Sequence, residues 1–178
     1  MNFPVNAIDH VLGMADQHLD NYIVPGLTSS LLENGKVRLF SMSRAQHQAI
    51  TPHSHRFDFQ CLVLRGEVHN IRWTRSDHDE ADAYVATKLS YGFEPGRYTR
   101  GGWGIGRYTC ESERFGAGDW YGQAYDEIHS VVFSDDALVL FFEGQMITQE
   151  TTILEPLVDG KHLQTFRVEP WMFLSRAK

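Results

Sequence analysis

The sequence predicts an all-β protein led by one helix. Three observations carry that reading. From residue 36 onward, short runs rich in β-branched and aromatic residues recur between glycine and aspartate turns, the pattern of a sandwich or barrel. Helical spacing of apolar residues is confined to the first two dozen positions. Apolar residues make up 42% of the 178, which is enough to build a core and argues against disorder.

The elements follow in order. Residues 6–23 read as a helix, because Ile8, Val11, Leu12, Leu19 and Ile23 recur at three- and four-residue spacing before Pro25-Gly26 stops the run. KVRLFSM, Lys36 to Met42, alternates with Val37, Leu39 and Ser41 on one face. Arg56–Leu64 and Glu67–Thr74 read as two strands joined at Arg65-Gly66, where glycine suits a tight turn of positive φ. Residues 75–106 read as a long excursion with one or two short strands, acidic at SDHDEADAY and rich in glycine and aromatics beyond it. Strand patterns return at 105–115, 120–125, 128–133 and 137–143, with 151–154 and 162–168 after them. No internal repeat or linker divides the chain, so residues 1–178 are expected to form one domain, with the β-barrel core over 36–168.

Composition excludes several classes of function. The formal net charge of −7 disfavours nucleic acid or an anionic membrane as partner. No apolar run approaches the roughly 20 residues that cross a bilayer. The N-terminus lacks the basic start of a signal peptide, so a soluble cytoplasmic protein is the expectation. The two cysteines, Cys61 and Cys110, fall in predicted strands without finger spacing, and each is read as a buried reduced thiol. The glycine series at 101, 102, 104 and 106 neither follows a strand nor opens a helix, which removes a dinucleotide fingerprint. No serine or cysteine stands in a nucleophile turn.

The stretch TPHSHRFDFQCLVLRG holds the chemistry. On a regular strand His53, His55, Phe57, Phe59, Cys61 and Val63 share one face. Two imidazoles on an otherwise apolar face need partners, and a metal ion is one such partner. Far along the chain, His129 stands at the start of another apolar strand, in YDEIHSVVF. If the two strands are barrel neighbours, His53, His55 and His129 converge on one ion.

These residues resemble the cupin superfamily, the RmlC-like jelly roll. The first cupin motif reads G, five residues, HxH, three or four residues, E, six residues, G. His53-Ser54-His55 supplies the HxH and Gly66 the closing glycine. The second motif reads G, five residues, PxG, two residues, H. Counted from Gly118, it brings His129 into register, with Ala124 and Asp126 in place of the family's Pro and Gly. The resemblance covers residues 53–133. It implies a single-domain jelly-roll barrel.

The departure that matters is the family's acidic ligand. It falls at Phe59 with three intervening residues, or at Gln60 with four; Gln60 reaches an ion only if a bulge re-aims it. A cupin with three histidines and no glutamate resembles the thiol (cysteine) dioxygenases. That likeness implies a non-heme Fe(II) centre binding a small chelating substrate beside O2, with Ni, Zn, Mn or Cu as alternatives. It also leaves open a homodimer, with the helix over a sheet edge or a partner. Arg72, Arg107, Tyr121 and Tyr125 are candidates for substrate anchoring and catalysis by proximity alone. Glu127 and Asp126 beside His129 read either as a base or as a solvated turn. His69, in an alternating strand, reads either as a cavity donor or as exposed. Two rival functions stay in play: a non-catalytic ligand-binding cupin, and a metal-assisted isomerase or lyase.

Overall fold

The structure is a computed structural model and describes residues 5–32, 36–44, 46, 48–92 and 98–165. It opens with α1 (Val5–Gly13) and continues as twelve strands: β1 (Ala15–Leu19), β2 (Leu27–Leu32), β3 (Val37–Met42), β4 (Phe57–Arg65), β5 (Glu67–Ser76), β6 (Asp82–Tyr91), β7 (Tyr98–Gly116), β8 (Trp120–Gln123), β9 (Ile128–Phe133), β10 (Leu138–Met146), β11 (Glu150–Val158) and β12 (Lys161–His162). They form two six-stranded antiparallel sheets, ordered β1-β2-β3-β10-β4-β8 and β12-β11-β6-β7-β5-β9. The architecture is the expected all-β jelly-roll barrel. No helix among the described residues is long and apolar enough to cross a membrane.

The core lies between the sheets. Strand β4 alternates as its sequence requires: Phe57, Phe59, Cys61 and Val63 are buried, while Asp58 and Gln60 are exposed. From the second sheet, Val68, Val131 and Phe133 meet them. The β4–β5 hairpin turns at Gly66, where φ is +69°. A Cβ there would meet Ser134 Oγ at 2.5 Å and the Ala137 Cα at 2.8 Å, so glycine is needed on both counts.

Three expectations change. The 6–23 helix stops at Gly13, a residue that weakens helix interiors. Residues beyond it join the sheet instead: Ala15–Leu19 pairs with Leu27–Leu32, a strand not read from the sequence, and Leu19 and Ile23 belong to strand and turn. The helix packs Ile8 and Val11 on the outer face of the first sheet, against Leu39, Leu64 and Leu138. That contact sets the orientation of β3, which the alternation leaves open: Leu39 lies outside under α1, while Arg38 and Phe40 face the interior cavity.

The excursion at 75–106 is also more ordered than expected. Strands β6 and β7 form a long antiparallel hairpin, extended by β11 on one side and β5 on the other. Its acidic stretch Asp77–Glu80 is exposed, as read. Residues 93–97 of the excursion and 166–168 of the last predicted strand lie outside the described residues. Finally, Cys61 is buried but Cys110 is exposed, because Cys110 lies in β7, where residues 109–114 are all exposed.

A candidate metal centre

The site begins with a backbone contact. The His53 N–H donates to the His129 carbonyl at 2.8 Å, and the His129 N–H returns the bond to His53 at 3.0 Å. This antiparallel pair sets both side chains on one face, and His55, two residues on, shares it. The segment before β4 is held from its other side as well. Ser54 exchanges bonds with Thr152, its N–H to the Thr152 carbonyl and its Oγ from the Thr152 N–H, each at 2.8 Å. The Leu154 N–H donates to the Pro52 carbonyl at 2.9 Å.

The three rings then cluster with centroids 4.8 to 5.2 Å apart. One nitrogen from each lies within 4.8 Å of the other two. His55 Nε2 and His129 Nε2 approach to 2.9 Å. Two nitrogens at right angles about an ion, each about 2.1 Å from it, would stand about 3 Å apart.

The outer nitrogens are already engaged. His129 Nδ1 lies 2.7 Å from Asn70 Oδ1, and His53 Nδ1 lies 2.8 Å from the Thr51 carbonyl. Both partners accept, so each Nδ1 carries the proton and each Nε2 is left with its lone pair. Asn70 is fully buried and is itself steadied, its Nδ2 donating to Gln123 Oε1 at 3.0 Å. Burial holds the His53 pKa below its usual value, against the Thr51 hydrogen bond. His55 and His129 are held well below theirs, first by burial, then by neighbouring imidazoles and by Arg56 and Arg72 respectively. All three rings are therefore neutral near pH 7, the form that ligates a metal. The donor set fits a divalent ion.

A cavity of about 200 Å³ opens over the three histidines. Its wall is mainly aromatic, with Phe57, Phe59 and Phe141 nearest the rings and Tyr91 and Tyr121 further out. Phe59 stands where the cupin glutamate is expected. Its ring centroid lies 4.7 Å from that of His55 and 5.2 Å from that of His129.

The other sequence candidates fall elsewhere. Gln60 is exposed on the outer face of β4, and its register opposite Phe142 and Gly122 is regular, so no bulge turns it inward. Arg72 sits opposite His129 in the β5–β9 register but is exposed and does not line the cavity. Tyr125 contributes its backbone, accepting from the His55 N–H at 2.9 Å and donating to Asp58 Oδ1 at 2.8 Å. Glu127 is exposed, with Oε2 capping the Ala124 N–H at 2.9 Å, the solvated-turn arrangement; Asp126 is exposed beside it. Arg107 bonds the Ala81 carbonyl at 2.7 Å, away from the site. Of the proximity candidates, Tyr121 alone lines the cavity. His69 is exposed, and its neighbour Asn70 holds the place beside His129.

Sequence reading missed Arg56, Arg38 and Glu143, all in the cavity wall. The Arg56 guanidinium lies 4.6 Å from the Tyr91 ring centroid. Adjacency to His55 was the signal for Arg56. Arg38 and Glu143 were legible only once β3 and β10 had been assigned their inner faces.

No family model matches the chain, and no curated protein matches it. Solved structures do align. KdgF from Halomonas sp. is 15% identical, with 82% of this chain and 94% of that one covered and a TM-score of 0.41. Hydroxypropylphosphonic acid epoxidase from S. wedmorenis is 11% identical, covering 72% of this chain and 55% of that one at 0.43. The Drosophila melanogaster CENP-C cupin domain is 8% identical, covering 80% of this chain and all of that one at 0.43.

Proposed function

We propose that this protein is a metal-dependent enzyme, a non-heme Fe(II) dioxygenase acting on a small chelating substrate such as a thiol. One observation carries the reading: three neutral imidazoles converge in an aromatic cavity, with two of the outer nitrogens already committed to acceptors. Fe(II) held there would supply adjacent open positions for O2 and for the chelating atoms of the substrate.

The chain's own residues do the rest. Asn70 and the Thr51 carbonyl orient the rings. Phe59, where the family has a carboxylate, leaves the ion's charge uncancelled, which favours an anionic ligand. Arg56, near His55, and Arg38 add positive charge to the same wall, against one carboxylate at Glu143. The aromatic lining lowers the local dielectric and so strengthens these attractions.

The test has two parts. His53→Ala, His55→Ala and His129→Ala should each lose stoichiometric metal, measured by elemental analysis, while circular dichroism stays that of the folded protein. Metal retained by all three variants removes the centre. Anaerobic iron loading, then oxygen-uptake assays with thiols, diketones and hydroxy acids, tests the chemistry. Uptake with none of them favours a ligand-binding protein, and turnover under nitrogen favours an isomerase or lyase.

A further inference from the structure

The turn between β1 and β2 carries a strained residue. Ile23 has a φ of +62°, a conformation that is an outlier for a β-branched side chain. The Val24 N–H donates to the Tyr22 carbonyl at 2.7 Å, closing a three-residue turn on Ile23. A γ-turn of positive φ is rare and strained. The surroundings hold it in place. The Tyr22 N–H donates to the Leu27 carbonyl at 2.7 Å, the Gly26 N–H to Asn21 Oδ1 at 3.0 Å, and the Ser43 N–H to the Gly26 carbonyl at 2.9 Å.

The position of that residue gives the strain a use. A second cavity of about 650 Å³ lies beside the one over the histidines, with Trp73, Tyr84, Pro52 and Pro156 among its lining. Successive residues face the two spaces in turn: Tyr22 lines the histidine cavity, Ile23 lines both, and Val24 lines the second. Among the described residues Ile50 also lines both; it is not a positive-φ residue, and its N–H donates to the Val131 carbonyl at 3.2 Å. Among the described residues, Ile23 and Ile50 are thus the two that border both cavities, and Ile23 is held against its backbone preference. Strain that persists at such a point is characteristic of functional positions.

We propose that Ile23 is a specificity-determining partition. It sets the length of the molecule that the metal cavity admits, and the second cavity is the space a longer substrate occupies when that side chain is absent. This inference rests on the metal centre proposed above and adds a statement about substrate size: a compact molecule fits, and an extended one is stopped at Ile23.

Cobalt-loaded protein titrated with imidazole, 4-methylimidazole and 4-phenylimidazole tests it, with the visible cobalt absorption reporting ligation. In the wild type, 4-phenylimidazole should bind at least tenfold more weakly than 4-methylimidazole. In Ile23→Ala the gap should fall below threefold while imidazole affinity is unchanged. A cobalt spectrum with the same gap in both proteins overturns this inference alone. No cobalt spectrum in either protein overturns the metal centre and this inference with it. Ile23→Gly should melt above Ile23→Ala, because glycine accepts the positive φ; the reverse order shows that the turn stores no strain and overturns that part.

Discussion

Among the described residues, the polar clusters around buried Glu155 and buried His129 are finished differently. Around Glu155, which is fully buried on β11, every approach ends in a donor. Arg100 reaches its two oxygens at 2.9 and 3.3 Å, His162 Nε2 stands at 2.8 Å, and the Thr165 N–H donates at 3.0 Å. Around His129 the outer side is answered by Asn70, and the inner nitrogen meets only another imidazole. The inner nitrogens of His55 and His129 point at one another across 2.9 Å, with no carboxylate between them and cationic Arg56 close by. A saturated cluster belongs to the architecture. A cluster of imidazoles that meet only one another could hold an ion, and that contrast distinguishes a scaffold cluster from a candidate site.

The sharpest way to break the comparison is to give the open cluster an anion. Phe59→Glu should destabilise the metal-free protein by about 3–5 kcal/mol, since it replaces a packed ring with a buried carboxylate. Excess Zn(II) should restore most of that loss by completing a three-histidine, one-carboxylate set. Urea melts with and without zinc measure both. Equal melts in the two conditions mean the histidines hold no ion.

Removing the anion from the closed cluster comes next. Glu155→Ala should cost about 3 kcal/mol, the lower end for a broken buried pair, because Arg100 keeps part of its water. The metal-free His129→Ala protein should lose less, about 1–2 kcal/mol, since it leaves the buried Asn70 Oδ1 without its partner but strands no charge. Thermal and urea denaturation of the two variants compares them, and a larger loss at His129 reverses the assignment of scaffold and site.

A smaller effect is expected at the partner of His129. Asn70→Ala should weaken metal binding about 10–100-fold, and Asn70→Asp should recover most of it, because either acceptor fixes the Nδ1 proton. Competition against a chromophoric chelator reads this directly, and an unchanged constant removes Asn70 from the centre.

The smallest effect distinguishes the two thiols. Burial pushes the Cys61 thiol up to about 12, while Tyr121 bonds to it; Cys110 is exposed. A thiol with that pKa is about 10⁻⁴ thiolate at pH 8, so native protein should react with Ellman's reagent at Cys110 alone. Two fast equivalents without denaturant would show that the cavity wall opens readily.

Much of this was legible before any tertiary contact was known. The alternation Phe57, Phe59, Cys61, Val63 names the inner face of β4, and the spacing of His53, His55 and His129 names the centre. The rest failed for identifiable reasons. KVRLFSM puts Val37, Leu39 and Ser41 on one face, but an alternating strand with apolar residues on both faces does not say which face a helix will cover. The 6–23 helix overran because Leu19 and Ile23 continue the helical spacing by coincidence, while strand pairing with 27–32 is non-local. His69 drew notice over Asn70 because imidazole looks functional; a one-residue change of parity decides which of them meets His129.

Sequence alone determined the all-β class, the inner face of β4 and the three imidazoles, because period-two patterning and motif spacing are local properties of the chain. Tertiary structure alone decided that His53 and His129 pair through their backbones, that Asn70 and Thr51 bond the outer ring nitrogens, that Arg56 and Arg38 share the cavity, and that Ile23 borders two cavities. Each depends on which distant segments become neighbours. Local pattern does not encode that, since packing between sheets is set by the whole barrel at once.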